Sequence, residues 1–102
     1  MMHDRKNIHL GHFYFDPQDP IYEDHFPGYP IVPGSLVVSA FLKAAQAQEG
    51  RTMTRIRNFR FRRFISPGRY AYRIEQSKVG DMAHLVCTLY DEETRVVTGT
   101  LL

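Results

Sequence analysis

The stretch PGSLVVSAFLKAAQAQEG, residues 33–50, decides how the rest of the chain is read. From Ser35 to Gln48 it contains neither proline nor glycine, it is rich in alanine, and its apolar residues fall on almost every side of a helical wheel. That pattern predicts one long helix, buried all round. Gly34 and Ser35 sit where a start is expected, Ser35 is a candidate N-cap, and Gly50 stands where a left-handed glycine ends a helix. A continuous strand through LVVSAFL is the rival reading, and both the length and the alanine content count against it.

Working outward, IHLGHFYF (8–15) has the aromatic and branched content of a strand, interrupted at Gly11, and Asp16 to Pro20 supplies a turn. Ile21 to Pro33 is a loop of prolines, glycine and aromatics, too apolar for a plain linker, so it is expected to pack against a substrate or a partner subunit. Beyond the helix the pattern predicts strands over 53–65, 70–79, 82–90 and 95–101, with turns at SPG (66–68), VGD (79–81) and DEET (91–94). In NFRFRRF (58–64) the period of two puts Phe59 and Phe61 on one side and Arg60 and Arg62 on the other. One helix followed by an antiparallel meander is an α+β arrangement, read as a single domain over residues 1–102 with no internal repeat.

A chain of 102 residues builds one core that is marginal alone and gains from burial against a second copy. A net charge of +2 is too mild to imply nucleic acid. The positive charge is local instead: six arginines lie between Arg51 and Arg63, a patch suited to an acidic partner surface or, more plainly, to a solvated strand face. No apolar run approaches the roughly 20 residues of a membrane helix, and the polar start MMHDRKN lacks a signal-peptide core, so no membrane role and a cytosolic location are expected. Cys87, the one cysteine, forms no internal disulfide and reads as a buried structural thiol. His9 and His12 point to opposite faces of a strand without a completing ligand set, and no glycine-rich phosphate loop is present, so neither metal nor other cofactor is expected.

The chemistry gathers in the loop before the helix. His25 is the side chain suited to moving protons near neutrality, though a lone histidine is more often structural. Pro33 and Gly34 lead directly into a helix whose unpaired N–H groups and positive dipole end bind a carbonyl oxygen, and glycine permits close approach. A base beside an oxyanion site suits removal of a proton next to a thioester carbonyl, where enolate-like charge develops on oxygen.

HFPGYPIVPGSL (25–36) closely resembles the signature of the bacterial 3-hydroxyacyl-acyl carrier protein dehydratases of the hotdog fold, and FRFRRFISPG (59–68) is similar to that family's Phe-Arg-Arg strand followed by Pro-Gly. The resemblance runs from about residue 8 to the end of the chain. It implies an antiparallel sheet wrapped round the helix, a homodimer or a higher oligomer of dimers with two active sites at the subunit interface, and acyl carrier protein or coenzyme A thioesters as substrates. It also implies that His25 is catalytic, that the Gly34 N–H polarises the thioester carbonyl, and that Phe26, Pro27, Gly28, Tyr29, Pro33 and Ser35 border the substrate.

In the family an acid follows the histidine by fourteen positions, and here that position is Ser39. A serine hydroxyl is far too weak an acid to replace a carboxylic acid directly, although it hydrogen-bonds a substrate hydroxyl or a water. Three readings remain: His25 both takes and returns the proton while Ser39 positions the departing hydroxyl; Glu23, Asp24 or Glu49 supplies the acid; or dehydration is lost and acyl-thioester binding kept. The first gives a dehydratase, a hydro-lyase forming a trans-2-enoyl thioester. The alternatives are a non-catalytic acyl or carrier-protein binding module, with Arg57, Arg60, Arg62 and Arg63 as the carrier-docking group, and a hotdog thioesterase.

Overall fold

The elements are β1 (Ile8–Phe15), α1 (Ile21–Asp24), α2 (Gly34–Glu49), β2 (Ile56–Phe61), β3 (Gly68–Val79), β4 (Met82–Asp91) and β5 (Thr94–Leu101). This computed structural model describes residues 8–24, 28, 30–50, 52–79 and 82–102. The strands form one antiparallel sheet in the order β1-β3-β4-β5-β2, with α2 packed across its inner face.

Alternation along β1 turns His9, Gly11, Phe13 and Phe15 inward and leaves Ile8, Leu10, His12 and Tyr14 outward, so the two histidines do face opposite ways. The same period buries Tyr70, Tyr72 and Ile74 on β3, Leu85, Cys87 and Leu89 on β4, and Val97 and Leu101 on β5. Phe41 of α2 is fully buried among them, its ring 5.0 Å from Phe13 and 6.0 Å from Tyr72, while Phe13 stacks on Tyr72 at 4.2 Å. Truncating such a ring costs about 3–5 kcal/mol.

Gly11 does not interrupt β1. The β1–β3 register is unbroken from Ile8↔Glu75 to Phe15↔Gly68, and Gly11 is there because a Cβ would lie 2.6 Å from the Tyr72 hydroxyl. That hydroxyl is 2.9 Å from His9 Nε2.

Helix α2 matches the predicted segment with one more residue at each end, and Gly50 closes it in the left-handed conformation (φ 70°), its N–H donating to Gln46 O. Ser35 is not the N-cap. Pro33 takes that place, makes no side-chain cap, and accepts the N–H of Leu36 at 3.0 Å on its carbonyl. The all-round burial expected of α2 is also not seen. Val37, Phe41 and Ala45 are buried in a row spaced by four, and the other apolar positions are half-buried or, at Ala47, exposed, because one sheet covers one side of a helix.

Two further departures shape the site. The apolar loop begins as a helical turn, α1, started by Asp19 Oδ1, which accepts the Ile21 N–H at 3.0 Å. The strand expected over 53–65 is only β2, since Thr54 and Arg55 instead pair with Leu102 at the chain's end and Arg62 N–H reaches Val96 O as the backbone leaves the sheet.

Strand β2 carries a bulge at Asn58 (φ 57°), where the register on β5 shifts between Arg57↔Thr100 and Arg60↔Thr98. Directly opposed residues share a face, so Arg57 and Arg60 both lie on the outer face with Thr98 and Thr100. A regular strand puts Arg57 on the same side as Phe59. The extra residue re-aims it.

Candidate active site

Val32 N–H donates to Ile65 O at 2.9 Å, tying the end of the histidine loop to the segment that follows β2. Between these two chain segments lies an almost wholly apolar groove of about 350 Å³, lined by Ile31, Val32, Pro33, Gly34, Phe61, Arg63, Phe64 and Ile65. The start of α2 is part of its wall. With no side-chain cap there, nothing from the serine or proline side chains occupies the first N–H groups of the helix, and those groups together with the dipole favour a partial negative charge. Phe61 closes over Gly34, where an added Cβ would meet the ring edge at 3.0 Å.

The mouth of the groove is unusually apolar for an exposed surface: Phe64 is 81% and Phe61 40% exposed. Arg63 lies in the same wall and is ion-paired with Asp91 at the end of β4, so its charge is already matched. The four arginines named from the sequence therefore divide. Arg57 and Arg60 share the outer face of the edge strand, Arg62 is exposed just beyond it, and Arg63 belongs to the groove.

Ser39 is half-buried on α2, about 160° round the helix from the Val37–Phe41–Ala45 row at 100° per residue. It faces away from its own sheet, towards whatever covers the other side of the helix. Ser35 is exposed on the first turn. Gly28 has a left-handed φ of 79° and borders a different cleft, shared with Tyr22, Glu23 and Pro30. Burial first, and then Asp19 and Asp16, push the Tyr22 hydroxyl above its ordinary pKa. His25, Phe26, Pro27 and Tyr29 lie outside the described residues.

Of the substitute acids, the Asp24 side chain lies outside what is described, and Glu23 is exposed on that separate cleft. Glu49 is at the far end of α2, about 22 Å along the axis from Gly34 at 1.5 Å per residue. Neither carboxylate lines the groove of its own chain. The groove's second wall was missed from the sequence: Phe61, Phe64 and Ile65 sit inside FRFRRFISPG, where only the arginines were given a role.

A single long helix packed across a five-stranded antiparallel sheet, with an apolar groove at the helix start, defines a hotdog-fold protein. Residues 2–99 match the family model for the ApeI dehydratase, and the chain belongs to this ApeI-like dehydratase family. It is 30% identical to the 3-hydroxyacyl-[acyl-carrier-protein] dehydratase FabZ of Nitrosospira multiformis, over 74% of this chain and 73% of that one. It is 36% identical to the FabZ of Acetivibrio thermocellus over a shorter span, 49% of this chain and 40% of that one. In structure it resembles the dehydratase heterocomplex ApeI:P from Xenorhabdus doucetiae with a TM-score of 0.69 and 18% identity, over 98% of this chain and 96% of the other.

Proposed function

We propose that the protein dehydrates 3-hydroxyacyl thioesters, with the acyl chain in the apolar groove and the thioester carbonyl on the Gly34 N–H. The observation that carries this is the coincidence of the groove with an uncapped helix start: one end of an apolar cleft supplies backbone donors, and no carboxylate is among the described residues that line it. In this reading the neutral imidazole of His25 takes the α-proton as enolate charge builds on the carbonyl oxygen, which the Gly34 N–H and the helix dipole stabilise. The bond to the 3-hydroxyl then breaks, the imidazolium returns its proton to the departing oxygen, and water and the trans-2-enoyl thioester leave with no net proton exchanged. Ser39 holds the hydroxyl in line, and Phe26, Pro27, Gly28, Tyr29, Pro33 and Ser35 border the thioester arm.

The site is shared between two subunits. Support comes from α2, whose half-covered side carries Ser39, and from the exposed Phe61 and Phe64 at the mouth of the groove. A homodimer is the simplest assembly. Ser39 favours a second one, because a second copy brings another serine whereas a related but different chain brings a carboxylic acid to the same place; the relative from Xenorhabdus doucetiae is a heterocomplex. Arg57, Arg60 and Arg62 serve an acidic carrier protein, since the pairing with Asp91 leaves Arg63 less charge to offer.

The experiment offers short 3-hydroxyacyl and 2-enoyl thioesters to the purified protein. Turnover that disappears in His25→Ala supports the homodimeric enzyme, and Ser39→Glu is expected to raise its rate. Release of free thiol without loss of the hydroxyl would mean hydrolysis instead. Binding without turnover, in wild type and Ser39→Glu alike, would refute dehydration by this chain alone.

A further inference from the structure

We propose that the cleft beside α1 receives an arginine side chain of a partner protein, held by Asp19, Tyr22 and Glu23. This cleft, of about 430 Å³, shares no lining residue with the Gly34 groove. Asp19, Tyr22 and Glu23 stand at positions i, i+3 and i+4 of the turn that becomes α1, and that spacing sets the three side chains next to one another on one wall. Two carboxylates so placed repel each other, and a helical turn of four residues has little stability of its own to offset the repulsion. Among the described residues no cation matches either of them: the ion pairs formed there are Arg63 with Asp91 and Arg73 with Glu75.

Tyr22 points to a ligand independently of these charges. Only 8% of it is exposed, and its ring belongs to the core. A tyrosine so buried ordinarily finds a hydrogen-bond partner for its hydroxyl. Tyr70, also buried, donates to Ser66 O at 2.6 Å. The Tyr22 hydroxyl bonds to no described residue, yet it is not sealed in, since Arg73 Nε is the one fully enclosed side-chain nitrogen or oxygen without a partner among the described residues. Its polar end therefore opens on the cleft that Tyr22 lines. The surroundings there are rich in acceptors: two carboxylates, and the walls at Pro17 and Pro30, whose backbone offers a carbonyl and no N–H. The field is negative as well, because after burial the causes of the raised Tyr22 pKa are Asp19 and then Asp16.

The donor set selects the cation. Among the described residues no three carboxylates, imidazoles or thiols gather closely enough to hold a metal ion, so the acceptors do not suit a compact charge that needs many ligands at one point. They are spread along an open wall. A guanidinium, planar and with five N–H groups, spans separated carboxylates and the phenol oxygen together, and its weak hydration lowers the cost of lying against tyrosine and proline. Free arginine would carry its own carboxylate into the same negative field, which points to a side chain on a protein chain.

This site stands apart from the proposed chemistry, and its test reads binding, not turnover. The isotopically labelled full chain is titrated at low salt with a blocked tripeptide carrying one central arginine and followed by NMR. Saturable binding is expected, with the largest shifts at Asp19, Tyr22 and Glu23. Asp19→Asn with Glu23→Gln should raise the dissociation constant at least about tenfold, because both charged acceptors go, and Tyr22→Phe should raise it about threefold or more. Asparagine keeps a side-chain oxygen for the Ile21 N–H, so the turn survives the exchange. Circular dichroism checks each fold, and if the double variant does not fold, Glu23→Gln alone should still weaken binding at least about threefold. A lysine tripeptide of equal charge should bind at least about threefold more weakly than the arginine one. No saturable binding, shifts centred elsewhere, an unchanged constant in the double variant, or lysine or free arginine binding as well as the arginine peptide would overturn the proposal.

Discussion

Gly99→Ala tests the placement of β2, on which the outward aim of Arg57 and Arg60 depends. Gly99 lies on the inner face of β5 without a left-handed φ, so alanine there brings no backbone strain of its own. Its Cβ would lie 2.6 Å from Phe59 Cδ1 and nearer still to Cγ and Cδ2. Carbon atoms rest at about 3.5–4.0 Å, so the ring must withdraw by roughly 1 Å or more. Its movement is limited by the Phe41 ring, 6.0 Å away, and by the Asn58 bulge in its own strand. Overpacking of this kind costs about 1–3 kcal/mol. At roughly 4–8 °C per kcal/mol for a domain of this size, Tm should fall by about 5–20 °C. Urea unfolding of wild type, Gly99→Ala, Phe59→Ala and the double variant measures the coupling. With the ring gone the methyl's three nearest neighbours are gone, so the double variant should be about 1–3 kcal/mol more stable than the sum of the singles implies. Additivity within about 0.5 kcal/mol would refute the contact, and with it the bulged register that groups the two arginines.

Gly34→Ala presses on Phe61, which at 40% exposed has room to swing aside, so stability should change by no more than about 1 kcal/mol. The methyl enters the groove, and thioester turnover should drop about tenfold or more through lost alignment, as steady-state rates on a 3-hydroxyacyl thioester would register. Arg57→Glu with Arg60→Glu should leave Tm within a few degrees while removing most of the salt-dependent part of binding to an acidic carrier protein, measured by titration calorimetry at several salt concentrations. Arg63→Glu should weaken that binding less, because Asp91 already offsets the charge it removes.

The Cys87 thiol offers a test by pH. Burial pushes it up to about 12, so it should resist alkylation in the native state and react at the rate of unfolding. Between the ordinary thiol pKa and that value the unfolded chain has lost the thiol proton and the folded chain has kept it. Stability must therefore fall as pH rises through this window, by at most about 1.4 kcal/mol per pH unit, and this component should be missing from Cys87→Ala in urea titrations at matched pH.

Local chemistry determined a good deal of this molecule. An alanine-rich run without proline or glycine, followed by Gly50, defines α2 to within a residue at each end, because helix propensity and the left-handed stop act over a few neighbouring residues. Strand-forming residues between turn signals do the same for β1, β4 and β5, while β3 begins two residues earlier than expected, at Gly68, and the Pro33–Gly34 half of the groove is legible for the same reason. What failed were readings that needed a distant partner. Gly11 looks like a break until Tyr72, far along the chain, is laid against it. The bulge at Asn58 exists only relative to β5, and β2 is short because Leu102 takes the hydrogen bonds of Thr54 and Arg55.

The apolar wheel of α2 says how much of the helix avoids water but not what covers it, so the sequence determined a buried helix and the tertiary structure decided that one sheet covers only the Val37–Phe41–Ala45 side. Likewise the groove takes its second wall from Phe61 to Ile65, brought beside Gly34 by the Val32–Ile65 hydrogen bond. Periodicity and propensity are properties of a chain segment; a pocket, a bulge and a bare helix face are relations between segments, settled only when the backbone pairs and the side chains compete for the same space.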